Sequence, residues 1–590
     1  MKNFQGENQI IFTNEARCQD CYRCVRVCPV NAIQMKNGQA QVDTHRCILC
    51  GTCICECPQN AKNYRNDVEK VLHILKSSSL VAVTIAPSYA TVYNEWERKR
   101  IPSVLRVLGF DYVFETAEAA YFTANSTAKY IDANPQKSHI CSACPAVVNL
   151  IEKYYPDKIS NLVPVVSPMI AHAKYIKSKF SENVKTVFIG PCIAKKGEAE
   201  RFENENLIDA VITFEEFDFL IKKEKIDFKV IEESEFDNKP AKFSSLFPLV
   251  GGLSKTASLE TDILSENSLP VSGYENLKEA LLAIDSVKEN LIIEPLFCSM
   301  GCINGPGIKS DKSLFLRKTD ILEYEKDKKN SESSSLCEKL NLSASFRYNL
   351  QQKEEEYSEE EIKKILEKTG KANEEDRLNC GACGYQSCRE KAIAVLSGMA
   401  EIEMCVPFMK RMAEQRTDKI IESSPNGIVI LDEQLSIMHM NPAFRTFFKC
   451  TTSIVGKPIS YLMDPELFIL LKDGDKDKIE TIVNHENYNL VCHQIFYTLQ
   501  PENQYVGIFV NITKNISDTE KLDKIKQDTV LQAQELLNHQ IEMAQKLAKY
   551  LGESTAQGEL LVNNLMKIVE DKNRSKIKND RWLWDIYTSK

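Results

Sequence analysis

Residues 294–307 are Glu294-Pro295-Leu296-Phe297-Cys298-Ser299-Met300-Gly301-Cys302-Ile303-Asn304-Gly305-Pro306-Gly307. The two cysteines stand four positions apart, and the residues after Cys302 are rich in glycine and proline. A C-x3-C spacing can place two thiolates on one metal cluster, and small residues let the backbone approach a bulky group closely. A pair of buried structural cysteines would produce the same spacing, so the rest of the chain has to decide between the two interpretations.

The composition narrows the class of protein. A length of 590 residues predicts several domains, and 43% hydrophobic residues with a net charge of −9 are typical of a folded globular chain. The sequence shows no basic face for nucleic acid, no apolar leader and no apolar run long enough to cross a membrane. We therefore expect a cytoplasmic protein without nucleic-acid or membrane partners. Its 21 cysteines then predict metal binding, because disulfides are rare in a reducing compartment.

The cysteines near the N-terminus follow the spacing C-x2-C-x2-C-x3-C-P twice. This is the bacterial two-cluster ferredoxin pattern, in which the fourth cysteine of each run binds the other cluster. Zinc ribbons use two C-x2-C pairs and fit this layout less well. Residues 1–66 are therefore predicted to form a ferredoxin domain with two 4Fe-4S clusters that carry electrons. One cluster would bind Cys18, Cys21, Cys24 and Cys57, and the other Cys47, Cys50, Cys53 and Cys28.

Three short apolar runs within residues 67–325 predict buried parallel strands, at residues 80–85, 187–189 and 291–293. Each run ends in a loop of small residues, proline or cysteine. Ligands bind at the carboxyl ends of strands in α/β folds, so we expect an α/β domain whose site is built from such loops. Four thiolates on these loops could hold a further cubane cluster. The candidates are Cys144, Cys192, Cys298 and Cys302.

The segments around these cysteines resemble the signature motifs of FeFe hydrogenases, written T-S-C-C-P, M-P-C-x-x-K and E-x-M-x-C-x-x-G-C-x-x-G-G-G. The resemblance covers residues 68–315 and extends to Ala86-Pro87-Ser88 and Val250-Gly251-Gly252. It implies a two-lobed α/β hydrogenase domain with an H-cluster. That cofactor is a 4Fe-4S cubane joined to a diiron unit that carries carbon monoxide, cyanide and a dithiolate.

The resemblance also implies a role for each residue of the site. Cys302 would bridge the cubane and the diiron unit. Lys195 would donate to one cyanide, because a buried anionic ligand needs a charged donor. The cubane alone would be bound by Cys144, Cys192 and Cys298, and the second cyanide would be held by the backbone and hydroxyl of Ala86 and Ser88.

The positions that serve proton transfer depart from the family. Its proton-relay cysteine is Ala143 here, and alanine has no exchangeable proton. The Met-Glu-Glu run of productive hydrogenases is also missing, because residues 123–127 are Thr-Ala-Asn-Ser-Thr. General acid–base catalysis typically contributes ~10²–10⁴-fold in rate, so the resemblance implies an enzyme of low activity. Two nearby side chains, His139 and Cys141, could replace the relay or serve only in packing.

A charged linker with a helix is predicted at residues 326–372, ahead of a third group of cysteines. The spacing C-x2-C-x4-C followed by a fourth cysteine resembles a small iron–sulfur domain, with zinc as the alternative. We predict one 4Fe-4S cluster in residues 373–410. Its ligands would be Cys380, Cys383, Cys388 and Cys405.

Residues 411–516 resemble a PAS domain, with Asn441-Pro442-Ala443-Phe444 as the short helix after the second strand. No residue identifies a haem or a flavin, so a role in protein contacts fits equally well. Apolar residues at helical intervals in residues 517–590 predict a helical signalling tail that forms a homodimer. The chain as a whole is thus predicted to be a multidomain protein of the α/β and α+β classes.

The favoured interpretation is a sensory FeFe hydrogenase that binds H2 or oxidises it slowly and reversibly to two protons and two electrons. Its iron–sulfur clusters and PAS domain would relay the redox state to a signalling kinase or phosphatase. One alternative is a turnover hydrogenase that exchanges electrons with a ferredoxin-like partner. Another is a non-catalytic iron–sulfur scaffold or electron-transfer protein without the diiron unit.

Overall fold

The computed structural model describes residues 9–259, 267–284, 286, 290–328, 340–349, 356–474, 478–499 and 503–513, with four further positions between 535 and 543. Its internal contacts divide the chain into a first unit, residues 1–401, and a second unit, residues 402–590. No helix in these described ranges has the length and apolar character of a membrane span. The helical tail predicted at residues 517–590 lies outside the described residues, apart from those four positions.

The N-terminal module is small and irregular, as expected for a chain that wraps around metal clusters. Its four strands form two antiparallel pairs, in which the first strand pairs with the fourth and the second with the third. Each cysteine run contains one short helix, and the two helices contact each other. These elements are β1 (Ile11–Thr13), α1 (Arg23–Val27), β2 (Ile33–Lys36), β3 (Gln39–Val42), α2 (Thr52–Cys55) and β4 (Lys62–Tyr64).

The central domain has two parallel sheets, which confirms a two-lobed α/β architecture. The strands of the larger sheet are β5 (Val81–Ile85), β6 (Tyr112–Glu115), β8 (Lys185–Gly190) and β9 (Ala210–Thr213), in the spatial order β6-β5-β8-β9. The strands of the smaller sheet are β7 (His139–Ile140), β10 (Ser268–Ser272) and β11 (Ile292–Leu296), in the order β10-β11-β7.

The predicted strands differ from these bounds only at their ends. All five residues of β5 are buried, as expected for a parallel strand that is covered on both faces. Leu80 was included in the prediction, but it is 38% exposed and precedes the strand. Leu291 also lies before its strand, and β11 continues to Leu296, which is inside the segment 294–307.

Helices cover both sheets, and most of them pack their apolar side into one of two large cores. They are α3 (Val68–Ser77), α4 (Glu95–Arg98), α5 (Ile101–Val107), α6 (Ala117–Ala133), α7 (Pro145–Tyr154), α8 (Pro168–Lys179), α9 (Ala194–Ala199), α10 (Phe214–Lys223), α11 (Gly252–Thr256), α12 (Tyr274–Ala283) and α13 (Leu314–Asp327). The helix predicted in the charged linker is α14 (Glu359–Lys368), which begins with a Ser358–Glu361 capping box, and α15 (Cys388–Leu396) packs against it.

The second unit contains a five-stranded antiparallel sheet in the order β13-β12-β16-β15-β14. The buried Asn441 side chain accepts from Phe444 N at 2.9 Å and donates to Ile421 O at 2.9 Å, so the predicted short helix is present and anchored. The elements are α16 (Val406–Ser423), β12 (Gly427–Leu431), β13 (Ile437–Met440), α17 (Pro442–Phe447), α18 (Glu466–Lys472), β14 (Lys478–His485), β15 (Leu490–Leu499) and β16 (Gln504–Asn511).

Candidate active site

The carboxyl ends of strands from both sheets of the central domain meet at one pocket of about 100 Å³. In the larger sheet, Ser88 follows β5 and Cys192 follows β8. In the smaller sheet, the loop after β11 supplies Cys298 and Cys302. Cys144 stands at the N-terminus of α7, which follows β7. The structure thus brings the four cysteines that the sequence singled out to the wall of one pocket.

Three of the four thiols, those of Cys192, Cys298 and Cys302, lie in an environment that disfavours a free thiolate. Burial, with a smaller contribution from the neighbouring Cys144 thiol, raises the pKa of Cys192 to about 12. Burial and the same neighbours raise the pKa of Cys298 and of Cys302. A metal cluster would compensate the thiolate charge that the pocket itself does not stabilise. In the described residues, no cysteine set converges on the position of a single metal ion.

The loop after β11 needs its glycines for close packing. Gly301 has φ +90°, and a Cβ there would lie 2.3 Å from Pro248 O. A Cβ on Gly305 would lie 2.5 Å from Pro191 O. Gly301 therefore lets the loop after β11 pack against Pro248, and Gly305 lets it pack against the loop that carries Cys192.

Four family models match successive parts of this chain. The first is a 4Fe-4S dicluster domain at residues 10–69. The second is the C-terminal domain of the iron-only hydrogenase large subunit at residues 79–306. Residues 79–306 are an iron-only hydrogenase domain. A putative iron–sulfur cluster domain matches residues 376–407, and a PAS domain matches residues 415–483.

Curated relatives include both hydrogenases and assembly factors. Iron hydrogenase 1 of Clostridium pasteurianum is 30% identical over 380 residues, which are 52% of this chain and 66% of that one. A cytosolic Fe-S cluster assembly factor of Vanderwaltozyma polyspora is 30% identical over 156 residues, 25% of this chain and 29% of that one. This chain spans just under two thirds of the first relative's length. The apo structure of an [FeFe]-hydrogenase from Chlamydomonas reinhardtii is 18% identical, with a TM-score of 0.39, and covers 48% of this chain and 100% of that one.

Lys195 lines the pocket of the hydrogenase domain from the first turn of α9. Its ammonium donates to Ser167 Oγ at 2.7 Å and to Glu198 Oε2 at 2.6 Å. The side chains of Lys195 and Glu198 are 11% and 12% exposed, so this ion pair is largely buried. An ammonium has three donors, which leaves one N–H for an acceptor inside the pocket.

Ser88 carries a hydroxyl whose hydrogen bond a bound acceptor would complete. Its hydroxyl is buried at the pocket wall and has no hydrogen-bond partner among the described residues. A buried polar atom without a partner is costly, and a ligand that accepts from it would remove that cost. Ala86 differs from its predicted role, because its N–H already donates to Ile189 O at 2.8 Å. Its backbone N–H is therefore already used in a hydrogen bond to β8, and Ala86 only lines the pocket wall.

Ala143 lines the pocket with a methyl group. Cys141, a candidate substitute, is buried beside Ala143, Ala124 and Leu253, and burial raises its pKa. His139 Nε2 bonds to Asn134 O at 2.8 Å. Neither Cys141 nor His139 is among the described residues that line the pocket. Both positions therefore fit the packing alternative.

Glu294 was not assigned a role from the sequence, although it opens the quoted segment. Its carboxylate accepts from Leu253 N at 2.9 Å, Ser254 N at 3.0 Å and Ser254 Oγ at 2.7 Å. This ties the start of α11, with the Gly251–Gly252 turn, to β11. Burial raises the pKa of Glu294. The only feature of the sequence that could have indicated this role is the presence of a glutamate inside an otherwise apolar strand.

The second cysteine run of the ferredoxin domain packs directly on the hydrogenase domain. Cys50 itself lines the hydrogenase pocket. Lys153 Nζ donates to Cys47 O at 2.8 Å, and Tyr154 Oη donates to Arg46 O at 2.7 Å. Cys55 is exposed, in agreement with its place outside the ligand pattern. The two predicted cluster sites are therefore neighbours across this contact.

Residues 373–410, the third cysteine module, pack in part on the first cysteine run of the ferredoxin domain. Arg26 Nη1 donates to Ala382 O at 3.2 Å. Gly384 has φ +92°, and a Cβ there would lie 2.7 Å from the side chain of Val25. Cys388 accepts from Lys371 Nζ at 3.1 Å. The first unit contains Cys380, Cys383 and Cys388, and the second contains Cys405, buried at the N-terminus of α16.

Proposed function

We propose that this protein is a sensory FeFe hydrogenase that binds H2 or converts it slowly and reversibly to two protons and two electrons. The proposal rests chiefly on one pocket, whose wall combines four cysteines, a buried ammonium and an unpartnered hydroxyl with a methyl group at Ala143. When bound, an H-cluster would supply the iron that binds H2 and exchanges electrons.

The chain's own residues would hold and orient that cofactor. Cys144, Cys192, Cys298 and Cys302 would supply the thiolates that hold it. The remaining N–H of Lys195 and the hydroxyl of Ser88 lie on the pocket wall, where each would donate to an anionic ligand. The apolar wall would exclude water and so strengthen both hydrogen bonds.

Electrons would leave through a row of clusters. The contact of Cys47 and Cys50 with the hydrogenase domain supports transfer to the ferredoxin cluster bound by Cys47, Cys50, Cys53 and Cys28. The contact of residues 382–384 with α1 supports transfer from the ferredoxin domain to a third 4Fe-4S cluster. We propose that this cluster and the PAS domain pass the redox state to a signalling partner such as a kinase or phosphatase.

Steady-state H2 oxidation by the matured protein with an artificial electron acceptor tests the sensory assignment. We expect slow turnover, because Ala143 stands at the position of the family's proton-relay cysteine and has no exchangeable proton. Turnover as fast as that of a productive hydrogenase assayed in parallel would instead support the alternative of a turnover enzyme coupled to a ferredoxin-like partner.

The similarity to cytosolic assembly factors favours a second candidate, an iron–sulfur scaffold without the diiron unit. A cubane alone needs no donors for cyanide, so the arrangement of Lys195 and Ser88 speaks against it. Iron analysis separates the two candidates. A matured protein that holds only cubane iron, and has no infrared bands of carbon monoxide or cyanide, would be a scaffold.

A further inference from the structure

A buried row of polar side chains begins at the pocket wall of the hydrogenase domain. Thr116 follows β6 and lines the pocket. Its Oγ1 lies 2.7 Å from Thr84 Oγ1, and Thr84 Oγ1 lies 2.7 Å from His172 Nδ1. Thr84 and His172 are completely buried, and Thr116 is nearly so. Two hydrogen bonds thus connect the pocket to an imidazole inside α8.

The row continues from His172 towards the surface. His172 Nε2 lies 3.8 Å from Glu118 Oε2, which also accepts from Asn238 Nδ2 at 3.0 Å. His172 Nε2 is buried and has no hydrogen-bond partner among the described residues. The side chain of Glu118 is 11% exposed, so it is the least buried side chain of the row and the one nearest to solvent. A small rotation of Glu118 would close the remaining gap to hydrogen-bond distance.

The protonation states suit a relay. Burial, with a smaller contribution from the charge of Lys179, lowers the pKa of His172 to about 3, so the imidazole is neutral at neutral pH. Burial raises the pKa of Glu118, opposed by Asn238 and Lys179. A neutral imidazole with its proton on Nδ1 donates to Thr84 and leaves Nε2 as an acceptor that faces Glu118. Phe114 and Tyr175 pack beside the ring.

We propose that Glu118, His172, Thr84 and Thr116 form a proton relay between the protein surface and the hydrogenase pocket. In the inward direction, Glu118 gives its proton to His172 Nε2, and the Nδ1 proton passes to Thr84. Thr84 passes its hydroxyl proton to Thr116, and Thr116 gives its own to an acceptor in the pocket. Each group loses one proton and gains one, no electron moves, and solvent reprotonates Glu118. Outward transfer reverses every step.

This relay rests on the proposed function, since it delivers protons to a site that exchanges them with H2. The pocket needs such a route, because Ala143 has no exchangeable proton and Cys141 and His139 do not line the pocket. Lys195 is already held by Ser167 and Glu198. The relay reaches the pocket after β6, whereas this ion pair reaches it after β8, so the two are carried by different strands.

The test uses near-isosteric variants in the matured full-length protein. Thr84→Val and Thr116→Val each remove one hydroxyl, and Glu118→Gln removes the outer acid. Thr186→Val is the matched control, because Thr186 is a buried threonine of β8 whose hydroxyl makes no hydrogen bond among the described residues. The infrared difference spectrum between argon and H2 is recorded in H2O and D2O, together with the rate of H2 oxidation.

We expect a band of the protonated Glu118 carboxyl that responds to H2 in the unsubstituted protein and in Thr186→Val. Its assignment rests on its D2O shift and its loss in Glu118→Gln. In Thr84→Val and Thr116→Val the carboxyl band should no longer respond, and the rate should fall by about 10²-fold. The bands of carbon monoxide and cyanide should stay in place, which shows that the cofactor is retained.

Two results would overturn the relay, and they are distinguishable. If the Glu118 band and the rate are unchanged in both threonine variants while the cofactor bands are present, the relay is refuted and the proposed function stands. If the unsubstituted, matured protein has no carbon monoxide or cyanide bands, the proposed function fails. The relay then fails as well, because the pocket has no site that exchanges protons with H2.

Discussion

The ammonium of Lys195 lies 2.6 Å from the carboxylate of Glu198, three residues later on α9, in the wall of the hydrogenase pocket. The pair holds a positive charge against an apolar cavity, where an isolated ammonium would be strongly disfavoured. The ammonium that a diiron unit with cyanide would require as a donor is therefore already in position, held by a carboxylate.

Replacing this ammonium should release the diiron unit but not the cubane. In Lys195→Met we expect most of the infrared intensity of carbon monoxide and cyanide to be lost after maturation, because a buried anionic ligand loses its charged donor. The iron of the cubane should remain, since its four thiolates are unchanged. Lys309→Met is the control, because that side chain is 85% exposed. Full band intensity in Lys195→Met would contradict the assigned role.

A thiol at position 143 should speed up proton-linked turnover. Ala143 lines the pocket, so Ala143→Cys places an exchangeable proton at its wall. The expected gain in H2 oxidation is about 10²-fold, the lower part of the range for general acid–base catalysis. Ala257→Cys adds a thiol to the same small core cluster away from the pocket and should have no such effect. No gain in Ala143→Cys would show that the missing thiol is not what limits turnover.

The loop between Cys298 and Cys302 should not tolerate a side chain at Gly301. A Cβ there would lie 2.3 Å from Pro248 O, in addition to the strain of φ +90°. Gly273→Ala isolates the strain, because Gly273 has φ +84° and an added Cβ there would meet nothing within 4 Å. We expect Gly273→Ala to cost about 1–3 kcal/mol in stability, and Gly301→Ala to lose cluster iron as well. Equal iron content and stability in the two variants would contradict the tight packing of this loop.

The contact between the third cysteine module and the ferredoxin domain predicts magnetic coupling between their clusters. Gly384→Ala should push the module away, because a Cβ would lie 2.7 Å from Val25. Electron paramagnetic resonance of the fully reduced protein should then lose spin-coupling broadening. Gly398→Ala is matched in backbone strain, with φ +69° and open space around the added atom, and should retain it. Identical spectra of Gly384→Ala and the unsubstituted protein would show that the proposed third cluster is not coupled to the clusters of the ferredoxin domain.

Local patterns predicted much of the fold. Continuous apolar runs identified β5, β8 and β11 to within a few residues, because strands that are buried on both faces leave a clear signal. The short strands β7 and β10 carry no comparable signal, since β7 has two residues and β10 includes Pro270. Only the resemblance to a two-lobed family implied that the smaller sheet is separate from the larger one.

The site was predictable where ligand spacing or motifs mark it and not where long-range pairing builds it. Cysteine spacing and the hydrogenase motifs identified the four pocket cysteines and Lys195. The Lys195–Glu198 pair follows helical i, i+3 spacing and could have been anticipated. His172 and Glu118 lie on different helices, 54 positions apart, and only the packing of α6 against α8 brings them together. Nothing in either local sequence indicates that contact.

The most direct test of the central claim is the infrared spectrum of the matured, unsubstituted protein under argon and under H2. We predict bands of bound carbon monoxide and cyanide under argon that shift when H2 is added, while steady-state H2 oxidation stays slow. Absence of these bands after maturation, with the cubane iron present, would contradict the assignment of a hydrogenase site.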